Sequence, residues 1–127
     1  MTTSQVTILI VEDNVLNLEL ATDLLTVAGY SIHQARTGEE GLRLARLESP
    51  ALILMDLRMP GLDGYATLRS LKEDPRTAVI RTVALTAQAM TGDKQAALAA
   101  GFDDYISKPI DTKTFSQTVA RLLRSAA

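Results

Sequence analysis

Short apolar runs that do not alternate, set between segments with helical periodicity, restrict this chain more than any other feature of its sequence. Val6–Val11, Ala51–Met55 and Val79–Leu85 are rich in Ile, Val and Leu, the last broken by Arg81 and Thr82, and Tyr105–Ser107 is a weaker fourth run. A strand with one wet face alternates polar and apolar residues, whereas unbroken runs of this length suit strands covered on both faces. Ser31–Ala35 is polar at His33 and Gln34, so it is expected at a sheet edge, with His33 exposed there.

Helical patterns fill the intervals. Over Asn17–Ala28, Leu18, Ala21, Leu24, Leu25 and Ala28 fall on one arc, Glu19, Thr22, Asp23 and Thr26 fall on the other, and Gly29 stops the helix. Thr37-Gly-Glu-Glu40 reads as a capping box that opens a helix through Leu47. Tyr65, Leu68 and Leu71 form a third stripe ended by Asp74-Pro75. An Ala-rich segment over Thr91–Ala100 stops at Gly101, and Phe115, Val119 and Leu122 mark a last helix. Strand and helix thus alternate five times with short connections, which calls for a doubly wound α/β fold, a five-stranded parallel sheet with helices on both faces. One domain is expected over 1–127, with 1–5 a flexible N-terminus and no output domain.

Composition narrows the function classes. In 127 residues, 46% are hydrophobic and 22% charged, the net charge is −2 and there is no basic run. This argues against nucleic acid or an anionic membrane as the main partner. The absence of cysteine removes thiolate metal sites and cysteine nucleophiles together. No apolar run approaches the roughly 20 residues of a membrane span, and Met1–Gln5 lacks the regions of a signal peptide. A cytoplasmic protein is expected.

In an open parallel sheet, ligands bind beyond the carboxyl ends of the strands. The residues at those ends are Glu12-Asp13, Asp56, Thr86, and Lys108 followed by Pro109. Three carboxylates brought together repel unless a cation joins them. Oxygen ligands without His or Cys favour a hard ion, magnesium above all. A hydroxyl and an ammonium beside them suit a phosphoryl group. Each residue also has a plainer reading. Glu12 and Asp13 could cap the following helix, Asp56 and Thr86 could satisfy turns, Lys108 could be a solvated charge, and Tyr105 a half-buried strand aromatic. Val15 lies well off the apolar arc of its helix and Leu16 near its margin, and both are expected to be exposed beside the acids.

Val11-Glu-Asp-Asn14, Met55-Asp-Leu-Arg-Met-Pro60 with Asp63-Gly64, Ala84-Leu-Thr-Ala87 and Tyr105-Ile-Ser-Lys-Pro109 together resemble the response-regulator receiver domains of bacterial two-component signalling. The resemblance spans essentially the whole chain, and Asn14 and Asn17 make it most like stand-alone relay receivers and the receivers of hybrid kinases. It implies a flavodoxin-like (βα)5 fold with strand order 2-1-3-4-5. It also implies that Asp56 accepts a phosphoryl group from a phosphohistidine, supplied by a histidine kinase or a histidine phosphotransfer protein. Magnesium, replaceable by Mn2+ or Ca2+, would be held by Asp13, Asp56 and the backbone carbonyl of Arg58, with Glu12 acting through water.

By the same resemblance, Thr86 and Lys108 would bind phosphoryl oxygens, and Thr86 and Tyr105 would act as a coupled switch. The Lys108–Pro109 bond would be cis. Arg58 and Gln88, each two positions beyond a site residue, would flank the path of a hydrolytic water and set the phosphoryl lifetime; whether Arg58 leans inward or outward is open. Val15 and Leu16 would dock the phosphodonor. Output would be a contact with a downstream protein, made by a monomer or by a dimer through the 91–125 face. The competing reading is a magnesium-dependent phosphohydrolase with an aspartyl-phosphate intermediate. Such enzymes place a second Asp where this chain has Arg58. A nucleotide-binding domain would need a Gly-rich turn where Glu12-Asp-Asn-Val15 stands.

Overall fold

The computed structural model describes residues 6–59, 61, 63–86 and 91–124, with 91–93 described as backbone only. The segment 1–5, expected to be flexible, lies outside this range. Ten elements alternate strictly: β1 Thr7–Val11, α1 Val15–Val27, β2 Ser31–Ala35, α2 Gly38–Glu48, β3 Leu52–Asp56, α3 Gly64–Glu73, β4 Arg81–Thr86, α4 Thr91–Ala100, β5 Asp104–Ser107 and α5 Phe115–Arg124. The five strands form one parallel sheet in the order β2-β1-β3-β4-β5. The polar β2 lies at an edge, as its composition requires.

The non-alternating strands are explained by two separate cores. Ile8, Ile10, Leu52, Leu54, Val83 and Leu85 pack on α1 and α5 through Leu18, Leu25, Phe115 and Val119. Leu9, Val11, Ile53, Met55 and Ala84 face the other way, toward Ala45, Leu68, Leu71 and Ala97 of α2, α3 and α4. Successive strand residues point to opposite faces, and both faces here are covered. The inner strands are therefore apolar on both faces over Ile8–Val11, Leu52–Met55 and Val83–Leu85.

Several boundaries differ from the sequence reading. The third apolar run begins at Val79, yet the strand it forms, β4, begins at Arg81. Thr77 is buried and donates its hydroxyl to the Leu71 carbonyl at 2.7 Å, and the Ile80 N–H donates to the Thr77 carbonyl. These bonds fold 74–80 into a turn that leaves Val79 exposed. α1 starts at Val15 rather than Asn17, because Asn14 is the cap: its side chain accepts the Asn17 N–H at 3.0 Å. At α2, Thr37 Oγ1 accepts the Glu40 N–H as the capping box requires, but Glu40 Oε1 accepts from Arg36, one residue before the cap. His33 is half-buried, with Nε2 3.4 Å from Glu48 Oε1, because α2 packs beside the edge strand.

Candidate phosphoacceptor site

The carboxyl ends of β1, β3, β4 and β5 open onto a cleft of about 500 Å3. Glu12, Asp13, Asn14, Val15, Asn17, Asp56, Arg58, Thr86 and Lys108 line it. Strand pairing brings these residues together: Val11 is level with Met55, Asp56 with Leu85 and Thr86 with Ser107, so the residues at or just beyond those ends share one rim. Carboxylate oxygens of Glu12, Asp13 and Asp56 all lie within 4.8 Å of one another. Capping does not account for these acids, since Asn14 caps α1.

Glu12 is the deepest member, 1% exposed. Its Oε2 accepts the Asn14 N–H at 3.2 Å, and its Oε1 lies 2.7 Å from Lys108 Nζ. The same ammonium is 3.3 Å from Asp56 Oδ2. Asp56 Oδ1 accepts the Arg58 N–H at 3.1 Å. Burial, with Asp56 alongside, pushes the Glu12 carboxyl up to about 7 despite the opposing pull of Lys108. Three acids against Lys108 and the exposed Arg58 leave the cleft short of positive charge. An all-oxygen donor set in that state fits a hard divalent cation.

The backbone holds these groups in place. The Lys108 N–H donates to the Thr86 carbonyl at 2.7 Å, and the Lys108–Pro109 bond is cis. Thr86 is buried at the last position of β4. At α3, Asp63 caps by accepting the Ala66 N–H at 2.9 Å, and Gly64 packs against the end of β3. A Cβ at Gly64 would stand 2.6 Å from the Asp56 carbonyl oxygen and 2.8 Å from the Leu57 Cα. Only glycine allows that approach.

Of the more peripheral residues, Arg58 is exposed and lines the cleft. Its observed bond to Asp56 runs through its N–H. Val15 and Leu16 are 42% and 76% exposed on the first turn of α1, beside the acids. Gln88 lies outside the described residues. Tyr105 on β5 is half-buried against the α4 side of the sheet, with Lys94 Nζ 4.9 Å from its ring centroid. Sequence reasoning missed that cation–π contact, and it also missed the close approach of Gly64. The glycine could have been suspected from its place after a capping Asp; the Lys94 contact depends on how α4 packs and has no local signal.

Comparison with known proteins agrees with the geometry. The sequence matches the response regulator receiver domain over residues 8–120. It is 41% identical over 119 residues to the polar-differentiation response regulator DivK of Brucella ovis, covering 94% of this chain and 97% of that one. The receiver domain of a sensor histidine kinase from Pseudomonas aeruginosa, solved with magnesium coordinated in its active-site cleft, superposes with a TM-score of 0.86. It is 32% identical, over 95% of this chain and 99% of that one. The signal receiver domain of a histidine kinase from Syntrophus aciditrophicus is 37% identical at a TM-score of 0.82, covering 94% and 90% of the two chains. With its strand order, its acidic rim and these relatives in agreement, the chain belongs to the response regulator receiver family of CheY-like phosphoacceptor signalling modules.

Proposed function

We propose that Asp56 is the phosphoacceptor and that Lys108, Thr86 and a magnesium ion complete its chemistry. The observation that carries this reading is the Lys108 ammonium, seated within 2.7 Å of Glu12 and 3.3 Å of Asp56 at the edge of a three-carboxylate cluster. A carboxylate oxygen of Asp56 attacks phosphorus, and the P–N bond of a donor phosphohistidine breaks. The electron pair leaves with the ring nitrogen, and because the other nitrogen of the donor ring carries a proton, the leaving group is neutral imidazole. The nucleophile and the donor are both anionic, so catalysis rests on holding them in line and neutralising charge. Asp13 and Asp56, with the Arg58 carbonyl, would hold the metal directly, and Glu12 through water; the bound cation supplies charge neutralisation at the phosphoryl oxygens. Acetyl phosphate labelling followed by whole-protein mass tests the site. Asp56→Asn abolishes labelling and Asp13→Asn weakens labelling and magnesium binding together; an Asp56→Asn protein that still labels overturns the assignment.

The phosphoryl group adds about −1.5 to −2 charge and three acceptor oxygens. Thr86 closes on one of them, and Tyr105 turns with it, altering the α4–β5–α5 face that a downstream protein reads. Thr86→Ala then keeps labelling but shrinks the amide NMR shifts that beryllofluoride and magnesium induce around Tyr105; full-sized shifts would break the coupling. Arg58 and Gln88 set the lifetime, so the double Ala variant changes the decay rate several-fold, about 1 kcal/mol of barrier. Val15 and Leu16 receive the phosphodonor, a histidine kinase or histidine phosphotransfer protein in the cytoplasm. Polar replacements there slow transfer from protein donors while leaving acetyl phosphate labelling intact. The phosphohydrolase alternative is not favoured, since Arg58 occupies the position of the second Asp and the relatives are signalling receivers.

A further inference from the structure

A second charged surface lies at the far end of the fold from the acidic cleft. α2 runs back from the carboxyl end of β2 to the start of β3. Its last turn and the α3–β4 connection therefore both lie at the amino end of the sheet. There, Arg43, Arg46, Leu47 and Arg76 line a shallow cleft of about 400 Å3. Asp74 orients two of the three guanidiniums. Arg76 donates its N–H and Nε to Oδ1, at 2.9 and 3.1 Å, and its Nη2 to Oδ2 at 2.9 Å. Arg46 Nε donates to the same Oδ2 at 2.9 Å.

Those four donors fill the acceptor capacity of one carboxylate. Asp74 has nothing left for Arg43, whose guanidinium forms no hydrogen bond or ion pair among the described residues. The outer nitrogens of Arg46, and Nη1 of Arg76, likewise donate no hydrogen bond to a carboxylate among those residues. Their guanidinium planes are nonetheless fixed by the bonds to Asp74, so part of the ordering cost of binding is already met. Beside them Leu47 is 66% exposed.

We propose that this cleft docks an acidic segment of a protein partner, its carboxylates pairing with Arg43 and the outer edges of Arg46 and Arg76, and an apolar side chain covering Leu47. Charge complementarity selects the occupant: three guanidiniums with one saturated carboxylate form a cationic spot on a chain whose net charge is −2. Leu47 selects a peptide over a bare polyanion, because a phosphate backbone has nothing apolar to place on it. Arginine is enriched at protein interfaces and among the residues that carry their binding energy. Docking here leaves the acidic cleft open, so a partner held at this end can stay bound while Asp56 reacts.

The test is amide NMR on the whole chain, titrated with a synthetic peptide of Glu, Asp and Leu residues. Shifts are expected to cluster at residues 43–47 and 74–77. Arg43→Glu and Leu47→Ser are each expected to weaken binding at least fivefold; both side chains are exposed, so the fold and acetyl phosphate labelling should be unchanged. A peptide that gives no localised shift, or binds both variants as well as the parent, overturns the proposal. So does a single-stranded oligonucleotide or inorganic phosphate that binds these arginines more tightly than the peptide and is indifferent to Leu47→Ser.

Discussion

Lys108 Nζ and Glu12 Oε1 stand 2.7 Å apart although β4 and β3 separate the strands that carry them. The lysine reaches along the rim of the sheet, past Asp56, to the deepest acid of the cleft. Breaking a buried pair by removing one partner typically costs about 3–5 kcal/mol, because the other charge is left uncompensated. Lys108→Met is expected to lose about 3 kcal/mol at pH 8 and less at pH 5.5, where Glu12 takes up a proton instead. Urea unfolding at the two pH values measures the difference, and an equal loss at both would place the charge of Glu12 elsewhere.

Glu12 itself links metal-free stability to pH. Its carboxyl is raised from 4.5 to about 7, so the folded state holds a proton that the unfolded chain releases earlier. Stability from this group is full below about 4.5 and is lost as pH rises through about 7. Glu12→Gln should remove that part of the slope in the metal-free protein. A magnesium ion competes with the same proton, so apparent metal affinity should rise with pH across this window in the parent and more weakly in the variant.

Asp74 gives the opposite sign. Hydrogen bonds from Arg76, with help from Arg46, hold its carboxyl well below the usual carboxylate range. The stability it contributes is present above the unfolded value and is lost as pH falls through the folded one. Asp74→Asn should therefore be less stable than the parent at pH 7, with the gap narrowing below about pH 4. Thermal unfolding across that range reads it directly.

Gly64→Ala places a methyl group 2.6 Å from the Asp56 carbonyl oxygen. The contact is with backbone, so no side chain can swing aside. A loss of about 1–3 kcal/mol is expected, along with slower labelling by acetyl phosphate as β3 shifts under Asp56. An unchanged labelling rate in a destabilised variant would show that the strand end does not move.

Thr82 carries a buried hydroxyl with no hydrogen-bond partner among the described residues, while its N–H is satisfied by Asp103 Oδ2 at 2.8 Å. Thr82→Val keeps the shape and removes the unsatisfied group. It should stabilise the protein by about 1 kcal/mol, seen as a higher urea midpoint at unchanged slope.

Local pattern along the chain specifies the class of fold and which residues stand at the strand ends. Ile8–Val11 and Leu52–Met55 are apolar at every position, and such a strand is stable only between two covered faces. The end of a strand is a local property of the chain, so Asp13, Asp56, Thr86 and Lys108 could be placed at one rim before any distance was known. Local pattern also erred where two signals overlapped. Val79 looked like the start of β4 because its hydrophobicity was visible and the buried Thr77 hydroxyl that folds the turn was not. The distances were decided only by the tertiary structure. Lys108 meets Glu12 because crossovers set the strand order and register, Gly64 is obligatory because α3 lies against β3, and Arg43, Arg46 and Arg76 gather because α2 ends beside the turn after α3. Each depends on how separate elements pack, and a local pattern specifies which face a residue occupies without specifying what lies opposite.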